Sequence, residues 1–363
     1  MLSPDGKRTW SHMLPFGLIW LVTGWVFLLS EAAVTDNFEN QPDTAIQVTF
    51  PVFIMASVAV FVFGLLTGWV EIRFLSRLFR SQRFVQRIIY KLLAYGLVFH
   101  LIILISFPIA ASMELGQPIF SSEVWGKFAT YLLSITHLST MVQLSFSLLL
   151  SLFYFEISDY IGPKALSHFL TGKYHQPVEE ERVFMFLDMR SSTSIAERLG
   201  HRRYFAMLRK YYEDLSAPIL RSAGEVYQYA GDEVIVSWPL KKGLKDQTCL
   251  RCFFGMKEAL EGKRSFYQKR YGEAPAFKAG MHCGKVTAGE IGVIKKEILF
   301  TGDVLNTCAR IQGLCNSYGT DLLVSADLLQ LLELGGEFKV TSKGFNDLRG
   351  KDEAVELFSV EKK

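Results

Sequence analysis

Hydrophobic and polar positions are unevenly divided along this chain. Four stretches, residues 9–30, 44–70, 92–113 and 128–155, contain no Asp, Glu, Lys or Arg, and each is at least 22 residues long. About 20 apolar residues cross the hydrocarbon core of a bilayer as a helix. The pattern therefore predicts four spanning helices over about 13–30, 48–70, 92–112 and 129–155. Buried helices of a soluble domain would keep a polar face towards water, and these runs leave none. After Phe155 the chain turns polar. Residues 156–180 read as a linker: a helix continuing out of the membrane and broken at Gly162-Pro163, a short second helix, and an exposed stretch from Tyr174 to Val178.

From Arg182 onwards the apolar pattern is that of a packed α+β domain, residues 181–363. Val183–Leu187 is a run of five apolar residues bounded by charge, the mark of a buried strand. Residues 193–221 carry helical periodicity, with Pro218 late in the run and Gly224 past its end. Glu225–Tyr229 and Glu233–Trp238 read as strands joined by a tight turn at Ala230-Gly231-Asp232. A second long helix follows over 246–272, then Ala276–Cys283 and Lys285–Gly289 as a further hairpin, a strand at Ile298–Thr301 and a helix at Val304–Cys315. The order opens β-α-β-β-α-β, the split βαβ arrangement of a ferredoxin-like domain. The expected fold class is thus α+β: a four-helix transmembrane bundle (1–155), the linker, then a ferredoxin-like domain.

Charge sharpens the division. Residues 1–155 hold 9 basic and 8 acidic side chains and residues 156–363 hold 30 and 28, so the two parts belong to different solvents. Disorder, a fibrous repeat and a wholly soluble single domain are excluded. A net charge of +3 gives no electrostatic footprint for nucleic acid. The five cysteines, Cys249, Cys252, Cys283, Cys308 and Cys315, all lie in the charged half at irregular spacing, which suits a reducing compartment. The loop 31–43 is purely acidic, whereas 71–91 carries Arg73, Arg77, Arg80, Arg83, Arg87 and Lys91 against Glu71 alone. By the positive-inside rule the second loop is cytoplasmic, which puts both termini in the cytoplasm of a cell-membrane protein. The first apolar run is too long for a cleaved signal peptide. His100 and His137 fall within the third and fourth runs; each is read either as a metal, haem or proton site or as a helix-to-helix hydrogen bond.

The topology also predicts chemistry. Asp188 ends the first strand and Asp232 lies in the hairpin turn, and a split βαβ sheet brings these two positions to one edge. Two carboxylates that close repel unless a cation lies between them, and an oxygen-only donor set suits Mg²⁺. Paired metals activate an attacking oxygen and neutralise a leaving one in phosphoryl chemistry. A helix cap at Asp188 and an ordinary turn residue at Asp232 are the competing readings.

Four segments together carry a family resemblance. Asp188-Met-Arg-Ser-Ser-Thr193, Tyr229-Ala-Gly-Asp232, Gly302-Asp-Val-Leu-Asn306-Thr-Cys-Ala-Arg310 and Lys278-Ala-Gly-Met-His282-Cys-Gly-Lys285-Val resemble, in order and spacing, the class III adenylate/guanylate cyclases of membrane-anchored, bacterial type. The resemblance covers roughly residues 181–360. It implies a homodimer whose active sites lie at the interface. Asp188 and Asp232, with the Met189 carbonyl, would hold two Mg²⁺ (or Mn²⁺) ions. Asn306 and Arg310, at i, i+4 on one helix face, would come from the partner chain, the amide holding the ribose and the guanidinium stabilising charge on phosphorus. Thr193 at the start of the first helix would contact substrate. Arg349 in Leu348-Arg349-Gly350-Lys351 stands where the family has a triphosphate-binding lysine.

Base choice departs from pattern. The positions that are lysine and aspartate or threonine in adenylate-specific members are Gln228 and Leu299, and the Glu and Cys typical of guanylate cyclases are also absent. Gln228 both donates and accepts, whereas Leu299 does neither; Glu297 and Thr301 share its strand face and are candidates to substitute. The resemblance implies a membrane adenylate cyclase that converts ATP to 3′,5′-cyclic AMP and pyrophosphate. Guanylate cyclase and a non-enzymatic membrane receptor with a degenerate cyclase-like module are the alternatives. The expected partners are ATP, a second copy of the chain and the lipid bilayer.

Overall fold

The computed structural model describes residues 4–34, 50–79, 82–348, 351 and 353–363. Its internal contacts divide the chain into two compact units, Met1–Leu170 and Thr171–Lys363, each described below by itself.

The first unit is helical: α1 (Pro4–Val34), α2 (Phe50–Val70), α3 (Phe84–Leu115), α4 (Ser122–Leu132), α5 (Ile135–Ile161) and α6 (Pro163–Thr171). Four segments are long and apolar enough to cross a membrane: His12–Val34, Phe53–Leu75, Phe84–Ile109 and Ile135–Ile161. At 1.5 Å per residue the shortest span about 34 Å, against a hydrocarbon core of about 30 Å. No more than 28% of any such segment's most apolar window is buried, so their outward faces, with Leu29, Val58, Leu97 and Leu149 among them, are exposed and apolar.

The fourth span starts at Ile135 rather than near residue 129, because Ser134 ends the preceding segment. The Ser134 hydroxyl accepts from His137 N at 3.1 Å and caps the new helix. The preceding Ser122–Leu132 segment forms α4, a separate helix capped by Ser121 and burying Val124 and Phe128.

Two of the basic residues expected to mark orientation have a structural place. Lys91 is fully buried, its Nζ 2.5 Å from Glu71 Oε1 and 2.7 Å from Glu156 Oε1. Arg87 Nη1 lies 2.5 Å from Glu156 Oε2. Two cations thus meet two anions, the composition a low-dielectric site tolerates. Glu71 opens a π-helical turn, Glu71–Leu75, that continues α2. The rings of His100 and His137 approach to 5.8 Å between centroids, nearly perpendicular. The polar contact of His100 is to the Gly96 carbonyl of its own helix, at 2.9 Å, in place of the helix-to-helix bond considered above.

In the second unit eight strands form one sheet. They are β1 (Val178–Met189), β2 (Glu225–Ala230), β3 (Glu233–Pro239), β4 (Phe277–Ile291), β5 (Glu297–Thr301), β6 (Leu322–Ser325), β7 (Phe338–Asn346) and β8 (Val355–Lys362). Their order is β2-β3-β1-β4-β6-β8-β7, with β5 paired to β4. β1 runs antiparallel to both β3 and β4, and β2 antiparallel to β3, the ferredoxin-like core with a mixed extension. β1 buries six consecutive residues, Arg182 to Leu187, because both faces of the sheet are covered. Val183, Met185 and Leu187 meet Tyr211, Leu215, Phe253 and Met256 on one face. Phe184 and Phe186 meet Val286, Phe300, Val304 and Cys308 on the other.

Four local expectations change. The first long helix is two, α7 (Ser192–Leu199) and α8 (His201–Arg221), divided at Gly200 with φ +72°. The second is also two, α9 (Thr248–Glu261) and α10 (Arg264–Tyr271). Residues 277–291 form one strand, not a hairpin: Gly284 does not turn the chain but lets α11 (Asp303–Leu314) approach, since a Cβ there would lie 2.7 Å from Val304 Cγ2. Tyr174, read as exposed, is buried, its ring against Phe300 and its hydroxyl donating to Glu180. All five cysteines are free and buried.

Candidate active site

The register of β1 decides which side chains meet. Asp188 lies opposite Glu233 on β3 and opposite Lys278 on β4. Asp232, one residue before Glu233, sits in a turn that Gly231 closes with φ +65°. Tyr212 of α8 holds this turn by donating to the carbonyls of Gly231 (2.8 Å) and Glu233 (3.2 Å). The outcome is the convergence expected of Asp188 and Asp232. Burial, then the hydrogen bond and charge of Asp232, push the Asp188 carboxyl above the ordinary aspartate range. Burial and the same two aspartates raise Glu233 as well.

Lys278 Nζ lies 3.4 Å from Asp188 Oδ2, and Gln312 Nε2 of α11 donates to that oxygen at 3.1 Å. These two residues answer one carboxylate, while the repulsion between Asp188 and Asp232 persists. A divalent cation held between the two would relieve it, so the donor set fits hard cations bound through oxygen. Among the described residues no group of three or more His, Cys, Asp or Glu converges as a metal cage. Further ligands would therefore be main-chain oxygen, water and phosphate. Met189 follows Asp188 as the last residue of β1, its side chain buried and its carbonyl at the strand end.

Beyond β1 the chain enters a cleft of about 260 Å³ lined by Asp188, Met189, Ser191, Thr193, Lys278 and Asn316. Ser191 there adopts φ +55°, a conformation costly for a residue with a Cβ. Arg190 fixes the loop from below, bonding Asp321, Asn316 and the Thr320 carbonyl. Thr193 is exposed in the first turn of α7, at the rim. The volume falls below the roughly 300–1,000 Å³ usual for a drug-sized ligand.

A second group of the expected residues gathers elsewhere. Gln228, exposed, sits at an irregularity in the β2–β3 pairing. Leu299, half-buried, is on β5. Their chain neighbours touch: the Tyr227 and Phe300 rings are 5.1 Å apart, and Phe300 N donates to Tyr227 Oη at 3.3 Å. Glu297 is ion-paired with Lys295, and the Thr301 hydroxyl donates to the Thr287 carbonyl at 3.4 Å. Directly after β5, α11 carries Asn306, exposed, and Arg310, half-buried with its Nη1 buried and unpartnered among the described residues. At 100° per residue, Asn306 and Arg310 are rotated about 240° and 200° from Gln312, the residue of α11 that touches Asp188. One chain thus presents its carboxylates and its Asn306–Arg310 pair on different sides of the same helix. Arg349 lies outside the described residues.

Lys278, Gln312, Glu233 and Tyr212 were not singled out from the sequence as site residues. Lys278 stood in a quoted motif, and only its register opposite Asp188 reveals the contact. Gln312 and Tyr212 had no signal, because helix position alone does not say which strand end a side chain will reach.

The sheet is thus ferredoxin-like, with paired carboxylates at one edge and the helix of Asn306 and Arg310 beside it. The adenylate and guanylate cyclase catalytic-domain model matches residues 174–361. The chain belongs to that family. Adenylate cyclase 2 of Rhizobium meliloti is 36% identical over 209 residues, which are 58% of this chain and 58% of that protein. The adenylate cyclase of Anabaena cylindrica is 27% identical over 184 residues, 48% of this chain and 36% of that one. The chain thus spans less than two thirds of the length of these relatives. A bacterial light-regulated adenylyl cyclase structure superposes with a TM-score of 0.52 at 19% identity, over 64% of this chain and 66% of that one, and shows the shared fold.

Proposed function

We propose that this chain is a membrane-anchored adenylate cyclase that converts ATP to 3′,5′-cyclic AMP and pyrophosphate as a homodimer. One observation carries the reading: within one chain the carboxylate pair and the Asn306–Arg310 pair lie on different sides of α11. A second copy placed head to tail would bring one chain's carboxylates to the other's Asn306 and Arg310, and two such half-clefts make a site of nucleotide size. The unpartnered Arg310 Nη1 supports the same arrangement.

In this reading Asp188 and Asp232, with the Met189 carbonyl, hold two Mg²⁺ or Mn²⁺ ions. When bound, such ions favour ionisation of the ribose 3′-hydroxyl and offset the triphosphate charge. The residues of the chain do the rest. Lys278 holds Asp188 in place and adds positive charge towards the phosphates. The 3′-oxygen forms its bond to the α-phosphorus as the bond to pyrophosphate breaks. Arg310 supplies directed donors to the oxygens on which charge accumulates. Asn306 orients the ribose, Thr193 lines the phosphate end, and Arg349 binds triphosphate. Gln228 reads the base edge, while Leu299 packs on the ring and leaves Gln228 to supply the polar contact. The 36% identical relative named an adenylate cyclase favours ATP over GTP.

Turnover of ATP and GTP by the full chain in detergent, with Mg²⁺ or Mn²⁺ and the product identified, tests the reaction; cyclic GMP as the main product would replace the nucleotide assignment. Asp232→Ala is expected to lower kcat by at least about 10³-fold with dimerisation intact. Co-expressed Asp188→Ala and Arg310→Ala chains are expected to regain part of the activity, since one of the two mixed sites is whole. No recovery would count against a composite site.

A further inference from the structure

We propose that His100 and His137 form a binding site for a copper(I) ion, with the Met141 thioether as third donor. His100 lies on α3 and His137 on α5, within two of the long apolar segments, and their ring centroids stand 5.8 Å apart at 82°. His100 Nδ1 donates to the Gly96 carbonyl at 2.9 Å. A carbonyl only accepts, so Nδ1 carries the proton and Nε2 of the neutral ring carries the lone pair. Ligating histidines are oriented in this way, by a hydrogen bond from the nitrogen that does not bind the metal. His137 is 8% exposed, and its Nδ1 is buried without a hydrogen-bond partner among the described residues. Edge-to-face packing with His100 and Tyr131 explains the ring angles, but it leaves that nitrogen unsatisfied.

The separation suits a shared ion. A metal–nitrogen bond of about 2.0–2.1 Å, plus about 1.2 Å from nitrogen to ring centre, sets two ligating rings about 5–6.5 Å apart at bond angles from about 105° to 180°. Among the described residues no Asp, Glu or Cys joins the pair to make a group of three. Both nitrogen donors are therefore neutral and unaccompanied by an anion, and a divalent cation would bring two uncompensated charges among apolar helices. A monovalent d¹⁰ ion brings one, and is content with two or three ligands. Met141, half-buried, follows His137 by one turn on the same face of α5 and adds the soft sulfur that favours copper(I). Copper binding here is independent of the nucleotide reading above.

The full chain in detergent, held reduced with ascorbate, is titrated with copper(I) against the chelator bathocuproine disulfonate. Protein loaded with one equivalent is then examined by X-ray absorption. Wild type is expected to take one more copper(I) per chain than His100→Leu/His137→Leu, whose remaining copper reports the five cysteines. His100→Leu and His137→Leu are each expected to weaken that binding at least about tenfold. The wild-type spectrum is expected to show nitrogen and sulfur ligands together, and Met141→Leu to lose the sulfur. Single variants that both bind within about threefold of wild type would overturn the site. So would a double variant with wild-type stoichiometry, or a wild-type spectrum of sulfur ligands alone. A Met141→Leu spectrum that keeps its sulfur would overturn the thioether. If a histidine variant fails to fold, judged by its thermal midpoint, the wild-type spectrum carries the test, since it needs no substitution.

Discussion

Gly280 offers the sharpest link between packing and catalysis. A Cβ built there would lie 2.4 Å from Gln312 N, 2.7 Å from the Cys308 carbonyl oxygen and 2.9 Å from Gln312 Cα, all backbone atoms of α11. Ordinary contact needs about 3.4–4 Å, so Gly280→Ala demands that the helix retreat by about 1 Å. No rotamer can absorb the change, because the obstructing atoms are main chain. Overpacking of this kind costs about 1–3 kcal/mol. For a unit of this size that lowers the midpoint by roughly 2–4 °C per kcal/mol, so a drop of about 2–12 °C is expected. Moving α11 by about 1 Å carries Asn306 and Arg310 with it and removes Gln312 from Asp188, for a loss of about 10²-fold in kcat/KM. Gly313 is the internal control: it lies on the outer side of the same helix, where a Cβ would meet nothing within 4 Å. Gly313→Ala is expected to raise stability by about 0.5–1 kcal/mol and controls for packing alone, since Gly313 lies seven residues from Asn306 and shares its helix face. Differential scanning fluorimetry of the full chain and initial-rate kinetics read both variants. A Gly280→Ala protein that melts within 1 °C of wild type and turns over within about threefold would refute the close approach of helix and sheet.

His282 makes the catalytic unit acid-sensitive. Burial holds its imidazole down to about 4, against the opposing pull of Asp327, and its Nδ1 lies 2.7 Å from Ser325 Oγ. The folded state keeps the ring neutral while the unfolded chain protonates near pH 6.5, so its stabilising contribution is whole above about pH 6.5 and lost as pH falls towards 4, at most about 3 kcal/mol. His282→Asn is expected to flatten the dependence of the midpoint on pH in that window; an unchanged slope would exclude His282 as its source. In the first unit, Lys91→Met leaves Glu71 and Glu156 buried against Arg87 alone and is expected to cost about 3–5 kcal/mol. Adding Glu71→Gln restores one charge of each sign and is expected to recover much of the loss, measured as thermal midpoints in one detergent; no recovery would show that the pairing is immaterial.

What could be read from the sequence followed from local rules. Long runs without charge need no partner to reveal a membrane helix, because hydrocarbon penalises every polar group along the run. The strand order β-α-β-β-α-β and the placing of Asp188 at a strand end and Asp232 in a turn rest on periods of 2 and 3.6 residues, which are properties of the chain itself. Those periods carry no information about glycine's two uses. Gly200 interrupts a helix and Gly284 permits a helix to approach, yet both look like punctuation in one dimension. Likewise a lysine among arginines reads as an orientation signal until Lys91 is seen between Glu71 and Glu156.

Contacts across the fold belonged to tertiary structure alone. Lys278 reaches Asp188 because β4 lies beside β1 in one register, and Gln312 does so because Gly280 lets α11 come close. The Asp303–Lys351 pair joins residues 48 positions apart that no motif connects. Local propensity and patterning depend on near neighbours and are written in the order of residues. The distance between two charges depends on how sheets and helices stack, and is settled only when the whole core has packed.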